Sequence, residues 1–440
     1  MRARNRELIG LIPAGLLVTA GFASVLSAQN PHTPSKVSIT YGLIFLGLCL
    51  VAHIALRRAL PHADPYLLPL VAVLASVGIV EIYRIKESFA RNQAVWFIAG
   101  IVFFILTIAF LRDMRRLERY RYTIAIAAVI AMLLPRAPGI GGAENGAYLA
   151  VHVGSVSFQP SEFAKVAIVI FLASYLHDRR ELLVLEARRV AGVTIPPLKH
   201  FGPMIVIWIA AMGVLVVTGE LGTSLMFFGA FIAILYVATG RLSFVTVGVL
   251  AFVVGALVIS QVYHRVGDRV TIWLHPLRPT LVDGKAYQIA QSLFAQADGG
   301  LFGRGIGRSL LEIQGGHTII PVPESDLIYA VITNELGLVG AAGLLLVYLL
   351  IIARGLKIAQ LAREPFPKLM ALGLTFIIAL QVFVIVGGVT RVIPLTGVTL
   401  PFVSYGGSSI VANFVLIGLL LVVSERARSE RLSASPVVVR

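Results

Sequence analysis

The sequence predicts an all-α polytopic integral membrane protein of about twelve transmembrane helices with one long extracellular loop, and three observations carry that expectation. Hydrophobic residues make up 58% of the 440-residue chain and charged residues 13%, for a mean hydropathy of +0.88, which excludes an ordinary soluble globular domain. Windows apolar enough to cross about 30 Å of hydrocarbon as helix recur along the whole length. The basic residues also sort by side. With the N-terminus inside, 24 of the 37 Lys and Arg fall on the cytoplasmic side and 12 outside, half of the latter in the single segment 263–326.

The windows run 8–28, 37–56, 66–84, 92–111, 121–135, 161–177, 203–218, 221–239, 243–262, 327–353, 369–390 and 405–424. The first follows Arg2, Arg4 and Arg6 and has the look of a signal peptide. Leu26, third before a cut after Ala28, is a poor cleavage residue, so the expectation is an uncleaved anchor helix. The second holds Cys49, the one cysteine, which excludes an intrachain disulfide or a cysteine metal cage and reads as a packing residue. Basic clusters at 57–65, 112–121, 178–202, 354–368 and 426–440 mark the inner ends of successive windows. They account for the net charge of +15 as a topology signal, so nucleic acid is not an expected partner. The seventh and eighth windows flank "TGELGTS" and could form a bent hairpin. With no internal repeat and no segment large enough for a soluble domain, any site has to be built from helices and outward loops.

Several residues could carry chemistry. Pro160 and Ser161 open a helix in which Glu162 and Lys165 follow at i, i+3, opposite charges on one face of a membrane helix. Such a pair either orients helices or meets a substrate. Glu220, between Gly219 and Gly222, and Glu335 in "ITNELGLVG" read as capping or packing acids. The stretch 392–409, "VIPLTGVTLPFVSYGGSS", reads as a re-entrant loop lining a cavity or as a rigid turn, because irregular backbone at membrane depth needs protein or water to satisfy it. In the long loop, Gln288, Gln291, Ser292 and Gln296 oppose Ile289, Leu293 and Phe294, the pattern of an interfacial amphipathic helix. "GGLFGRGIGRS" then offers backbone amides with Arg304 and Arg308 as a phosphate cradle, or simply turns the chain. Asp283, the only acid between Asp268 and Asp298, could be a general base at the membrane surface or a turn former.

Together these pieces resemble the RodA/FtsW family, the SEDS proteins, and look more like the RodA branch than the FtsW branch. The resemblance covers about residues 65–424 and rests on "NGAYLAVHVGSVSFQPSEFAK", "GELGTS", "YQIAQSLFAQADGGLFGRGIG", "ESDLIYAVITNELGLVG" and "QVFVIVGGVTRVIPLTGVTLPFVSYGGSS". It implies a ten-span glycosyltransferase core at 65–424, two added helices within 1–64 and a basic cytoplasmic tail at 425–440. It also implies a bacterial plasma membrane protein, both termini cytoplasmic, that polymerises lipid II into peptidoglycan strands for elongation and cell shape. The expected partners are lipid II, the lipid-linked glycan strand, membrane lipids and a class B penicillin-binding protein whose transmembrane helix docks on 221–262.

Asp283 takes the catalytic role. Glu162, Lys165, Gln288, Gln291, Ser292, Arg304, Arg308, Asp326, Ser404, Tyr405 and Ser408 are expected at the substrate, with Asn145, Pro160, Glu220, Glu335, Gly406 and Gly407 in support. No cofactor is required, although a divalent cation, Mg or Mn, is an option for the departing diphosphate. There are departures from the family pattern. Tyr148, Leu149 and Ala150 follow "NGA" where the family has a basic residue and a tryptophan, Glu220 replaces aspartate, and Leu327 and Tyr329 alter the usual "TDFI". The family's catalytic aspartate lies six residues before the tyrosine of "GYQ", which here is Leu281; Asp283 stands four before Tyr287. The competing expectations are a lipid II flippase that uses Glu162, Lys165 and Glu220, and a catalytically impaired scaffold.

Overall fold

A computed structural model describes residues 2–29, 36–142, 148–154, 156–185, 188–190, 193–195, 198–262, 264–309, 312–313 and 317–434. In chain order the helices are α1 (Arg2–Gln29), α2 (Lys36–Ala59), α3 (Leu67–Ile85), α4 (Glu87–Phe110), α5 (Met114–Arg119), α6 (Arg121–Leu133), α7 (Pro160–Leu185) and α8 (Leu198–Thr218). They continue as α9 (Leu221–Thr239), α10 (Leu242–Val262), α11 (His264–Leu274), α12 (Pro279–Val282), α13 (Tyr287–Gly299), α14 (Ile328–Leu361), α15 (Pro365–Val389) and α16 (Gly407–Ala434). Each of the twelve apolar windows is occupied by one helix. Eight of these helices, among the described residues, are long and apolar enough by themselves to cross a membrane. Among the described residues, strands are confined to three short antiparallel ribbons, the first pairing Val151–Val153 with Val156–Phe158. The fold is the expected all-α multi-pass membrane architecture.

The hydrocarbon-facing and protein-facing helices differ in burial. Within α16, 89% of the most apolar stretch is buried, against 28% in α14. The reason is position: α16 packs on α4, α7, α14 and α15 and forms the centre of the bundle. Its Phe414 meets the rings of Phe97, Phe104 and Phe402. On one flank α1 packs on α2 and α3, so the first two helices lean on the rest of the bundle.

At the end that carries the chain termini, charges tie helices together. Asp64, fully buried, accepts from Arg354 of α14 at 3.2 Å and Arg428 of α16 at 2.6 Å, and its Oδ1 caps the Tyr66 amide at 2.9 Å. Nearby, Glu7 of α1 holds Arg4 and, at 2.7 Å, His53 of α2, while Arg4 also donates to the Ala63 carbonyl. Buried charges of this kind persist only when partnered.

The opposite end carries the described residues of 263–326, the segment predicted to lie outside. Here α14 is broken at Gly337, whose φ of +68° and ψ of −173° suit glycine alone. Residues 300–305 fill the break: the amides of Arg304 and Gly305 donate to the Asn334 and Glu335 carbonyls, and those of Leu338 and Val339 to the Gly300 and Leu301 carbonyls. The backbones touch so closely that a Cβ on Gly303 would lie 2.1 Å from the Glu335 carbonyl oxygen, and one on Gly337 would lie 2.4 Å from the Gly303 amide nitrogen. The glycines of "GGLFGRGIGRS" thus serve close backbone approach to α14.

Candidate active site at the loop-bearing end

The intramembrane pair is the core of a cage. Lys165 is fully buried on α7, and its ammonium donates to Glu162 at 2.7 Å, Gln381 of α15 at 3.0 Å and Asn413 of α16 at 3.2 Å. Three donors meet three acceptors, the full capacity of a lysine. Gln381 passes the order on by donating to the Thr399 carbonyl at 2.7 Å, and Asn413 donates to Ser409, itself 2.7 Å from Thr399. The irregular segment 390–406 is therefore held from below by polar side chains rising out of α15 and α16, which is how non-helical backbone is satisfied there.

Glu220 sits in the two-residue break between α8 and α9, buried, with Thr223 donating at 3.0 Å and Gln159 at 3.4 Å. The Gln159 amide in turn donates to Ser408 at 2.9 Å, linking the start of α7 at Pro160 to the start of α16. Ser404 donates to the Ser325 carbonyl at 2.6 Å and accepts from the Leu400 amide at 2.8 Å. The Tyr405 ring lies 4.9 Å from that of Phe89, and the Gly406 amide donates to Gln93 of α4 at 3.2 Å. Gly407 faces Trp96, where a Cβ would come within 2.2 Å of the indole. Asn145 lies outside the described residues.

Beyond this scaffold, between α11, α13, the end of α15 and the segment 390–406, lies a cavity of about 210 Å³. Its charged and polar lining is Arg269, Lys285, Gln288 and Asp326, and backbone at Gly388 and Gly397 closes it. Asp326 accepts from the Ser325 hydroxyl at 2.5 Å. Burial pushes its carboxyl above the usual aspartate range, opposed by the Ser325 hydrogen bond, a backbone hydrogen bond and the Arg269 charge. Gly397, at φ +72°, brings backbone so near that a Cβ there would stand 3.4 Å from Asp326 Oδ2. Lys285 lies partly in solvent and bridges Asp268 of α11 at 2.9 Å. The wall is braced by Trp273, which donates to the Arg391 carbonyl at 3.1 Å while Arg391 returns a bond to the Trp273 carbonyl at 2.9 Å.

Asp283 lies on the exposed turn that ends α12, two residues before Lys285, and is not among the residues that line the cavity. Leu281, where the family pattern would have its aspartate, is half-buried within α12. Of the α13 residues, Gln288 reaches the cavity, Gln291 is half-buried, and Ser292 is buried with its hydroxyl 3.4 Å from the Val389 carbonyl. Gln296 donates to the same carbonyl at 3.0 Å. The other expected phosphate groups are elsewhere. Arg304 is exposed and forks onto Asp298, one arm at 3.0 Å, which holds that carboxyl below the usual aspartate range; Arg308 is exposed. The Gly307 amide donates at 2.8 Å to Glu335, which also accepts from Ser309 and sits 3.3 Å from Arg84. The Gly303, Arg304, Gly305, Gly307 and Arg308 amides and the Ser309 hydroxyl are thus engaged by the chain's own carbonyls and carboxylate.

Arg269, Lys285, Gln381 and Asn413 were not singled out from the sequence. Gln381 and Asn413 had a signal, polar side chains inside apolar windows. Arg269 had a weaker one, a basic residue on the polar face of the amphipathic α11. No group of three His, Cys, Asp or Glu positioned to hold a metal occurs among the described residues, and Asp326 is the single carboxylate lining the cavity. The lining does not assemble a cation-holding set, so no step is routed through a divalent ion.

A family model described as "Cell cycle protein", FTSW_RODA_SPOVE, matches residues 62–429. The chain belongs to the FtsW/RodA/SpoVE family. It is 38% identical over 436 residues to "Peptidoglycan glycosyltransferase RodA" of Mycobacterium tuberculosis, covering 97% of this chain and 91% of that protein. To "Stage V sporulation protein E" of Bacillus subtilis it is 32% identical, over 82% of this chain and 93% of the relative. A solved structure described as "Structural coordination of polymerization and crosslinking by a peptidoglycan synthase complex" superposes with a TM-score of 0.66 at 26% identity, covering 83% of this chain and 98% of that one. The cage and the cavity both fall within the FtsW/RodA/SpoVE residues, whereas α1 and α2 precede them.

Proposed function

We propose that this protein is a peptidoglycan glycosyltransferase of the RodA type, which transfers the glycan of a lipid-linked strand onto the GlcNAc 4-hydroxyl of lipid II with release of undecaprenyl diphosphate. The observation that carries the proposal is the cavity at the loop-bearing end, where Arg269 and Lys285 stand beside the half-buried carboxyl of Asp326. A departing diphosphate needs cations aimed at its developing charge, and the acceptor hydroxyl needs a base. Lys285 exchanges Asp268 for a phosphate oxygen; Gln288 orients the sugar. The reading is supported by the likeness to the mycobacterial peptidoglycan glycosyltransferase RodA.

Asp283 is the proposed base, on an exposed turn next to Lys285. A second reading is favoured by position: Asp326 lines the cavity, half-buried, and desolvation pushes its carboxyl above the usual aspartate range. Sideways access for lipid tails accounts for a polar loop beside apolar helices. Both termini are assigned to the cytoplasm by the charge distribution, and a class B penicillin-binding protein is the proposed partner, docking its single span on α9 and α10. Purified protein given lipid II, with and without that partner, should yield polymer; lipid II left unpolymerised in both mixtures overturns the assignment.

A further inference from the structure

A second and larger cavity lies away from the site, on the flank where α1 and α2 lean on the bundle. Its volume is about 350 Å³. Phe22, Phe45 and Leu48 form one wall, from helices that precede the family-matched residues, and Ile79, Ala94 and Phe97 form the other. The Phe45 and Phe97 rings stack at 5.3 Å, and Phe402 with Ile410 supplies the floor. The lining residues belong to the halves of α2, α3 and α4 nearest the loop-bearing end, so the cavity is at the depth of one leaflet. Ile44, on its rim, is 57% exposed on a helix face that meets hydrocarbon. Toward the surface the rim changes to Tyr41, Tyr83, Glu87 and Arg91. Arg91, 75% exposed, contacts Glu87 through one nitrogen at 3.0 Å.

We infer that this cavity is a binding site for one acyl chain of a phospholipid, whose phosphate lies at the level of Arg91. Three observations select this occupant. An apolar cavity of this kind does not hold water, and one that opens sideways into hydrocarbon fills with it. At about 30 Å³ per group, roughly the share of a water in liquid, the volume admits about a dozen methylenes, one acyl tail rather than a long branched polyprenyl chain. The guanidinium at the mouth complements a phosphate, and only one of its five donors is used on Glu87. The seated chain also bears on the irregular segment. Phe402, at φ +65°, is the floor, and Gln93 of α4 donates to the Ser404 carbonyl at 3.2 Å and accepts from the Gly406 amide. The helix pair that precedes the family core therefore builds a lipid site against the loop next to the active site.

The test is photolabelling of the full chain in nanodiscs with phosphatidylglycerol bearing a diazirine on its acyl chain, against a diazirine polyprenyl phosphate, followed by peptide mapping. The phospholipid should label residues 41–48 and 90–97. Filling the cavity with Ala94→Phe, or covering its rim with Ile44→Trp, should lower that labelling about tenfold, equivalent to roughly 1.4 kcal/mol, while labelling of α10 stays constant. Ile44 is on the lipid-facing surface, so its variant decides the matter if Ala94→Phe fails to fold. Labelling equal to wild type in folded Ile44→Trp, or preferential labelling of the cavity by the polyprenyl probe, overturns the proposal.

Discussion

The Lys165 cage and the outer cavity both hold charged groups, and they hold them differently. In the cage one ammonium has three acceptors on three helices and is buried, so its charge is spent on holding α7, α15 and α16 together. At the cavity Lys285 leans on Asp268 from an exposed position, and Asp326 has a hydroxyl for a partner rather than a full ion pair. A charge whose donors are all matched in low dielectric cannot be given to a substrate without a large loss, whereas a half-exposed one exchanges partners at little cost. The cage is thus architecture, and the cavity is where the proposed chemistry fits. The same contrast disfavours a transport route through Glu162 and Lys165.

The largest effect is expected from removing the base. Asp283→Asn should lose about 10²- to 10⁴-fold in lipid II polymerisation, the range of a general base, with an unchanged melting temperature. If Asp283→Asn retains activity and Asp326→Asn loses it by that factor, the cavity carboxyl is the base and the second reading stands. Next comes the cage. Lys165→Met leaves Glu162 without its cation and Gln381 and Asn413 without their donor, and breaking a buried pair costs about 3–5 kcal/mol, so the variant should melt well below wild type or fail to accumulate. A melting temperature equal to that of wild type would remove the distinction between the two regions.

Gly337→Ala should cost about 1–3 kcal/mol, since a Cβ there meets backbone of residues 301 and 303; native-state proteolysis should then cut first at 300–309. The pH dependence is smaller. The folded pKa of Asp326 lies above its unfolded value near 3.8, so the protonated group's contribution is fully present below 3.8 and is lost as pH rises through the raised folded value. The melting temperature of Asp326→Asn relative to wild type should therefore rise across that window and level off above it; a flat difference would place Asp326 in water. Smallest of all, Arg304→Ala removes an exposed pair with Asp298, and both melting temperature and polymerisation should stay as in wild type.

Much of the candidate site was legible one residue at a time and not as an arrangement. Lys165 and Glu162 announced each other at i, i+3, but Gln381 and Asn413, 216 and 248 positions away from Lys165, complete the cage only because α15 and α16 pack on α7. Arg304 and Arg308 looked like phosphate ligands because glycines surround them. The fold uses those glycines for contact with α14, and it brings Arg269 and Lys285 to the cavity instead.

By itself the sequence determined that this chain crosses a membrane many times, where each long apolar helix lies, where the long loop falls and to which family the chain belongs. Hydropathy, basic clusters and motifs are properties of neighbouring residues, and the hydrocarbon layer acts on each window separately. Only the tertiary structure decided which charges are spent on packing and which face a cavity, that α14 breaks at Gly337 to receive residues 300–305, and that α1 and α2 enclose a pocket against α3 and α4. Those outcomes depend on whether a distant side chain arrives within about 3 Å of a given donor, and no local pattern specifies which segment of a long chain will supply it.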